Sequence, residues 1–233
     1  MPSTAYLTRR QSLETYFNRT AAKTWEQLTS DAPVSKIRQT VREGRDRMRD
    51  TLLSWLPTDM DGKSLLDAGC GTGALAVAAA LRGADVTAVD VAESLVKVAA
   101  DRAPAMLGPG RLRFLVGDML DPSHGAFDHA VAMDSLIHYK SADIVRALAS
   151  LAPRLRGSIL FTFAPRTPAL TAMHAVGQLF PRSDRSPAIE PVSEAALRRA
   201  IAEEPAFAAW RVGRVARVQS GFYTSTAMEL CRR

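Results

Sequence analysis

The spacing of apolar positions changes repeatedly along the chain, and the changes divide it into alternating helices and strands. Before residue 60 the period is helical. Leu13, Tyr16 and Phe17 share one face, Trp25 and Leu28 continue it after a polar interval, and Pro33 breaks the run. Val41, Met48, Leu52, Trp55 and Leu56 then recur at helical spacing among Arg42, Arg45, Arg47 and Arg49, until Pro57 ends the helix. From Ser64 the period shortens. Strands are expected at Ser64–Ala68, Asp85–Val89, Arg111–Val116, Phe127–Met133 and Ser158–Ala164. Between them lie helical runs opening at Ala74, a run marked by Leu95, Val98 and Ala99, and one marked by Ile144, Val145, Leu148 and Leu151. Five prolines between Pro165 and Pro191 loosen the pattern, with Ala169–Phe180 reading as helix within that stretch. A helix capped by Ser193 carries Leu197 and Ile201, and Trp210–Val218 and Phe222–Leu230 read as closing antiparallel strands.

Strands spaced by helices imply a parallel sheet with right-handed crossovers. The expected fold is α/β: a Rossmann-like seven-stranded sheet over residues 61–233, preceded by a helical cap at 1–60 and carrying an insertion at about 165–191.

The stretch Ser64-Leu-Leu-Asp-Ala-Gly-Cys-Gly-Thr-Gly73 brings in chemistry. It reads as a strand, a tight glycine turn and a helix, the opening of a nucleotide-binding βαβ unit in which Cβ atoms would obstruct a ligand. Gly69, Gly71 and Ala74 fit the dinucleotide fingerprint, with Asp90 near the distance of a ribose-binding acid. Two features favour a different nucleotide. Asp67, at the mouth of the strand, suits an ammonium group and would repel a diphosphate. The third glycine, Gly73, widens the turn. Asp-x-Gly-x-Gly-x-Gly resembles motif I of class I S-adenosylmethionine (SAM) methyltransferases, and a seven-stranded sheet ending in a hairpin is their arrangement.

In an open α/β sheet the ligand lies beyond the carboxyl ends of the strands. The candidate cofactor residues are therefore Asp67, Gly69, Cys70, Gly71 and Gly73 in the turn, with Asp90 and Val91 after the second strand for the ribose hydroxyls. Asp118 and Met119 after the third strand suit the adenine, and Asp134 after the fourth suits the methionine moiety. Tyr16 and Arg42 are added from the cap, Arg42 for the cofactor carboxylate.

Composition narrows the class further. The 233 residues are 47% hydrophobic, which excludes disorder, and no apolar run approaches the ~20 residues of a membrane span. With no apolar leader near Met1, a cytoplasmic protein is expected. Cys70 and Cys231 form no metal pattern, so no metal site is expected. The net charge of +6 admits nucleic acid, anionic membrane or acidic small substrates. Against nucleic acid, Asp134-Ser-Leu-Ile stands where amino-methylating enzymes carry Asp/Asn-Pro-Pro-Tyr, neither cysteine suits cytosine attack, and no aromatic-rich basic stripe appears. A small-molecule substrate is favoured.

Tyr16-Phe-Asn18 with Trp25 downstream, the glycine turn, Leu136-Ile-His-Tyr139, Phe163-Ala-Pro-Arg-Thr167, Gly177-Gln-Leu-Phe-Pro181 and Phe222-Tyr223 together resemble the magnesium protoporphyrin IX methyltransferase family of (bacterio)chlorophyll biosynthesis. The resemblance covers nearly the whole chain. It implies methyl transfer from SAM to the 13-propionate of Mg-protoporphyrin IX, giving the monomethyl ester and S-adenosylhomocysteine. His138 is then expected to orient the carboxylate, accept a residual proton or contact the porphyrin magnesium, with Tyr139, Arg166 and Arg182 on the substrate side. Chlorophyll-type relatives carry a tyrosine four residues after the tryptophan. Here Thr29 stands at that spacing after Trp25, so that role is not carried over, and Tyr16 and Tyr139 stay open as substitutes. The family also implies contact with magnesium chelatase, and a porphyrin substrate brings an expectation of peripheral membrane contact.

Overall fold

The structure, a computed structural model, describes residues 3–19, 29, 35–166 and 188–233. The expected helix at 169–180 and the apolar positions Trp25 and Leu28 lie outside these residues.

Two helices come first, α1 (Thr4–Arg19) and α2 (Lys36–Trp55). The Ser35 hydroxyl accepts from the Arg38 backbone N–H and caps α2, and Pro57 prevents its continuation. The alternating unit follows: β1 (Ser64–Ala68), α3 (Ala74–Ala80), β2 (Asp85–Asp90), α4 (Glu93–Arg102), β3 (Arg111–Val116), β4 (Phe127–Ala132), α5 (Ser141–Leu151) and β5 (Leu155–Phe163). It closes with α6 (Glu194–Glu203), β6 (Trp210–Ser220) and β7 (Tyr223–Arg232). The seven strands form one sheet in the order β3-β2-β1-β4-β5-β7-β6, parallel except for β7, which runs antiparallel to both neighbours.

Successive side chains of a strand point to opposite faces, so each central strand feeds two cores. Leu66, Ala130 and Phe161 pack with α5 and α6 on one face. Leu65, Val131 and Leu160 pack with α3 and with Met48 and Leu52 of α2 on the other. α2 is therefore a layer of the domain, touching β6 and β7, while α1 lies against α4. β5 begins three residues earlier than the pattern predicted, because a short 3-10 turn at Ala152–Arg154 absorbs Pro153 and leads straight into the strand.

The chain crosses from β3 back over to β4, which pairs with β1 on its other side. Strand order reverses at that point. Loops leaving the carboxyl ends of β1 and β4 part there and open a crevice.

Candidate active site

The crevice holds a cavity of about 350 Å³. Its walls come from the loops after β1 to β5, from α1 and α2, and from the start of β7.

The glycine turn forms the floor. Gly69 and Gly71 have φ of +84° and +54°, a region L side chains rarely adopt. The Gly69 and Cys70 N–H groups donate to the Val89 carbonyl at 2.8 and 3.0 Å, folding the turn over β2. A Cβ at Gly69 would stand 2.3 Å from the Ser135 Cβ, whereas one at Gly71 would meet nothing within 4 Å. Gly69 thus packs against the loop after β4, and Gly71 leaves open space on the cavity side.

Asp90 ends β2 half-buried. Its carboxylate accepts from the Gly71 N–H at 2.8 Å and the Ala92 N–H at 2.9 Å. Burial pushes its pKa up, and these N–H groups oppose the shift. Val91 and Met119 line the cavity beside it.

Asp67 lies beneath the turn at 1% exposure and does not line the cavity. Its Oδ2 meets no hydrogen-bond donor among the described residues. Burial, with the Asp90 charge nearby, raises its pKa to about 7. The folded chain then keeps a proton that the unfolded chain loses near pH 4, so stability should fall as pH rises from about 4 to 7. Asp67→Asn removes that penalty. Thermal melts should show its Tm above wild type at pH 8 and level with it at pH 4, about 2–4 °C for each kcal/mol removed. Equal shifts at both pH values would sink this account.

Asp134 follows β4 and is the one non-glycine residue with positive φ among those described, at +55°. Its carboxylate accepts from Arg45 at 2.8 Å and from the Tyr223 hydroxyl at 3.1 Å, inside the cavity wall. The next turn, Leu136–His138, carries His138 to the cavity at 7% exposure. The His138 Nδ1 lies 3.3 Å from the Ala188 carbonyl, and the Phe17 ring stands edge-on to the imidazole at 6.4 Å. Tyr139 lines the cavity as well, stacked on Tyr6 at 5.0 Å and 21°. Burial raises the pKa of both phenols, keeping them protonated.

Other sequence candidates are placed elsewhere. The Asp118 carboxylate is engaged by the Tyr6 hydroxyl at 2.9 Å and by Arg10 at 2.8 Å, so it ties α1 to the sheet rather than facing the cavity. Cys70 lies outside the lining, its thiol pKa raised by burial and by Asp67 and Asp90. Gly73 and Tyr16 are outside it too, and Phe17, next to Tyr16, lines the wall instead. Arg45 rather than Arg42 reaches the cavity. Arg166 is exposed, its backbone N–H donating to the Val192 carbonyl, and Arg182 falls outside the described residues. Tyr6, Arg10, Arg45 and Tyr223 are cavity residues that sequence reasoning did not assign. The helical spacing of Tyr6 and Leu13 was the available signal for α1.

Three features fit SAM. They are a buried acceptor without a donor near the mouth of β1, a turn left open at Gly71, and a fixed carboxylate at the end of β2. These suit a cationic sulfonium amino acid joined to a nucleoside. No cluster of metal-ligating side chains occurs among the described residues.

Known proteins match the chain along its length. Residues 132–232 match the family model described as magnesium-protoporphyrin IX methyltransferase C-terminus, and residues 65–157 match a methyltransferase domain. A magnesium-protoporphyrin O-methyltransferase from Rhodobacter capsulatus is 49% identical over 230 residues, 98% of this chain and 99% of its own. The chloroplastic magnesium protoporphyrin IX methyltransferase of Arabidopsis thaliana is 30% identical over 94% of this chain and 70% of its own length. The crystal structure of magnesium protoporphyrin IX methyltransferase from Synechocystis PCC 6803 with bound SAH aligns with a TM-score of 0.83 at 26% identity, covering 97% of this chain and 100% of that one. A seven-stranded sheet of this order, a glycine turn built for a nucleoside and these matches lead to one assignment: the chain belongs to the magnesium-protoporphyrin O-methyltransferase family of SAM-dependent methyltransferases.

Proposed function

We propose that the protein transfers a methyl group from SAM to the 13-propionate carboxylate of Mg-protoporphyrin IX. The observation that carries this reading is one cavity lined by the glycine turn, Asp90, His138 and apolar side chains. It occurs in a chain 49% identical, over nearly its full length, to a protein named for that reaction.

SAM supplies, when bound, a methyl group on a positive sulfur, open to attack by an oxygen lone pair. The chain's part is binding, alignment and exclusion of water. Gly71 and Asp90 hold the ribose side, with Leu95, Val91 and Met119 as the apolar walls of the purine. Asp134 and Arg45, opposite charges 2.8 Å apart, face the amino acid end. Phe17, Ile137, Tyr139, Ile189 and Phe222 supply apolar walls for a flat macrocycle. A propionate is largely ionised at neutral pH, so it needs alignment more than activation. His138 orients it and takes the proton from whatever fraction the apolar walls keep neutral. Arg166 remains a candidate for the macrocycle's outer carboxylate.

Purified protein incubated with Mg-protoporphyrin IX and SAM should give a product one methyl ester heavier by mass, absent without SAM. SAM binding by calorimetry with no such product would discard the substrate and keep the cofactor.

Peripheral contact with a lipid surface belongs to the same reading, as does contact with magnesium chelatase, which rests on the family resemblance alone. No helix among the described residues is long and apolar enough to cross a membrane. Ile189 and Phe222 line the cavity and are nonetheless 40% and 59% exposed. Phe222→Ser is expected to reduce cosedimentation with anionic vesicles. Equal recovery of both proteins would count against the lipid contact, and failure to co-purify with the chelatase against the other.

A further inference from the structure

Glycine in the middle of a helix costs about 1 kcal/mol relative to alanine, yet α2 carries Gly44 there. The reason lies across the interface. A Cβ at Gly44 would stand 2.5 Å from Cδ1 and 2.7 Å from Cγ of Tyr223, so the Tyr223 ring rests on bare helix backbone. From that seat its hydroxyl reaches both Asp134 oxygens, at 3.1 and 3.2 Å. Arg45, the residue after Gly44, reaches the same carboxylate at 2.8 Å, and the hydroxyls of Thr162 and Ser225 lie at 3.2 and 3.4 Å. The Asp134 N–H is held as well, donating to Thr162 Oγ1 at 2.7 Å.

This is more fixing than stability asks for. A buried ion pair contributes little net stability, and positive φ in a non-glycine residue is strained. What the lock holds is the start of the segment that ends in His138. One residue on, Ser135 donates to the Ala68 carbonyl at 2.7 Å and packs against Gly69, so the same segment also touches the cofactor turn.

We propose that Tyr223 is a positioning residue of the transfer reaction. It acts through Asp134 to fix the 134–138 segment, and Gly44 is the residue that admits its ring. The proposal rests on the methyl-transfer reading above and does not make Tyr223 a catalytic residue. Tyr223 donates to Asp134, and burial beside that carboxylate keeps the phenol protonated.

Tyr223→Phe keeps the ring and removes the hydroxyl. Its kcat with Mg-protoporphyrin IX should fall about tenfold, while the KM for the porphyrin stays within about twofold. Gly44→Ala should reproduce the loss with the hydroxyl present, by lifting the ring. The double variant should be little worse than either single one, since both break one link. A readout independent of turnover is the NMR signal of the His138 ring, which should move in Tyr223→Phe. Unchanged kcat in Tyr223→Phe, or an unmoved His138 signal, would overturn the inference. Absence of porphyrin turnover in the wild type would instead sink the methyl-transfer reading, leaving the His138 signal to decide this one.

Discussion

His138→Ala is expected to lower turnover of Mg-protoporphyrin about 10²-fold while SAM affinity stays within about twofold of wild type. The separation follows from where the ring sits. His138 closes the turn after β4, four residues past Asp134, and lines the cavity. Its Nδ1 lies 3.3 Å from the Ala188 carbonyl, an acceptor, which puts the ring proton on Nδ1 and the lone pair on Nε2. An ionised carboxylate only accepts hydrogen bonds, so that lone pair repels it, and the ring sets its direction only once Nε2 also carries a proton. From a neutral propionic acid the lone pair takes the proton. Apolar walls favour the neutral acid, so the loss in His138→Ala should deepen as pH falls from 8 to 6. Initial rates across that range, with calorimetry for SAM, separate the two roles. A pH-independent loss leaves orientation alone, and undiminished turnover removes His138 from the mechanism.

The sequence made this part of the site legible because it is local. A short, largely buried strand ends, an acid follows, and the next few residues hang over the sheet edge, whatever else the chain does. The same holds for Asp90 and for the glycine turn. Asp118 shows where local reading stops. Its position after β3 was legible, but its partners Tyr6 and Arg10 lie 112 and 108 residues away, and nothing near Asp118 announces them. The choice of Arg42 over Arg45 failed to anticipate the cavity wall for a related reason. Arginines recur every few residues along α2, and which one faces inward depends on how the helix is rotated against the sheet. That rotation goes with tertiary contacts, Met48 and Leu52 in the core and the Tyr223 ring against Gly44. Tyr16 and Phe17 differ by about 100° around a helix, so a face assigned from three apolar residues could not separate them. The central strands were legible as short apolar runs between helical stretches, because they are buried on both faces.

Two alanine substitutions in the glycine turn should fail in opposite ways, and the contrast tests the cofactor assignment more sharply than either one. At Gly69 the added methyl would overlap the Ser135 Cβ at 2.3 Å, and Ser135 is held in turn by the Ala68 carbonyl. Neither side yields without moving the loop after β4. Overpacking of about 1–3 kcal/mol adds to about 1–2 kcal/mol for an L side chain at positive φ. Gly69→Ala should therefore melt about 4–20 °C below wild type. At Gly71 there is no overlap, only the conformational penalty, so the fall should be no more than about 2–8 °C. The methyl instead stands in open space, with nothing within 4 Å, on the very residue whose N–H donates to the Asp90 carboxylate at 2.8 Å. A nucleoside in the crevice would have to share that space. SAM affinity by calorimetry should drop more than about tenfold in Gly71→Ala, through lost contact with the turn and a displaced ribose acceptor. If Gly71→Ala instead binds SAM like wild type, the ribose does not lie over the turn, and Asp90 loses its assigned role with it.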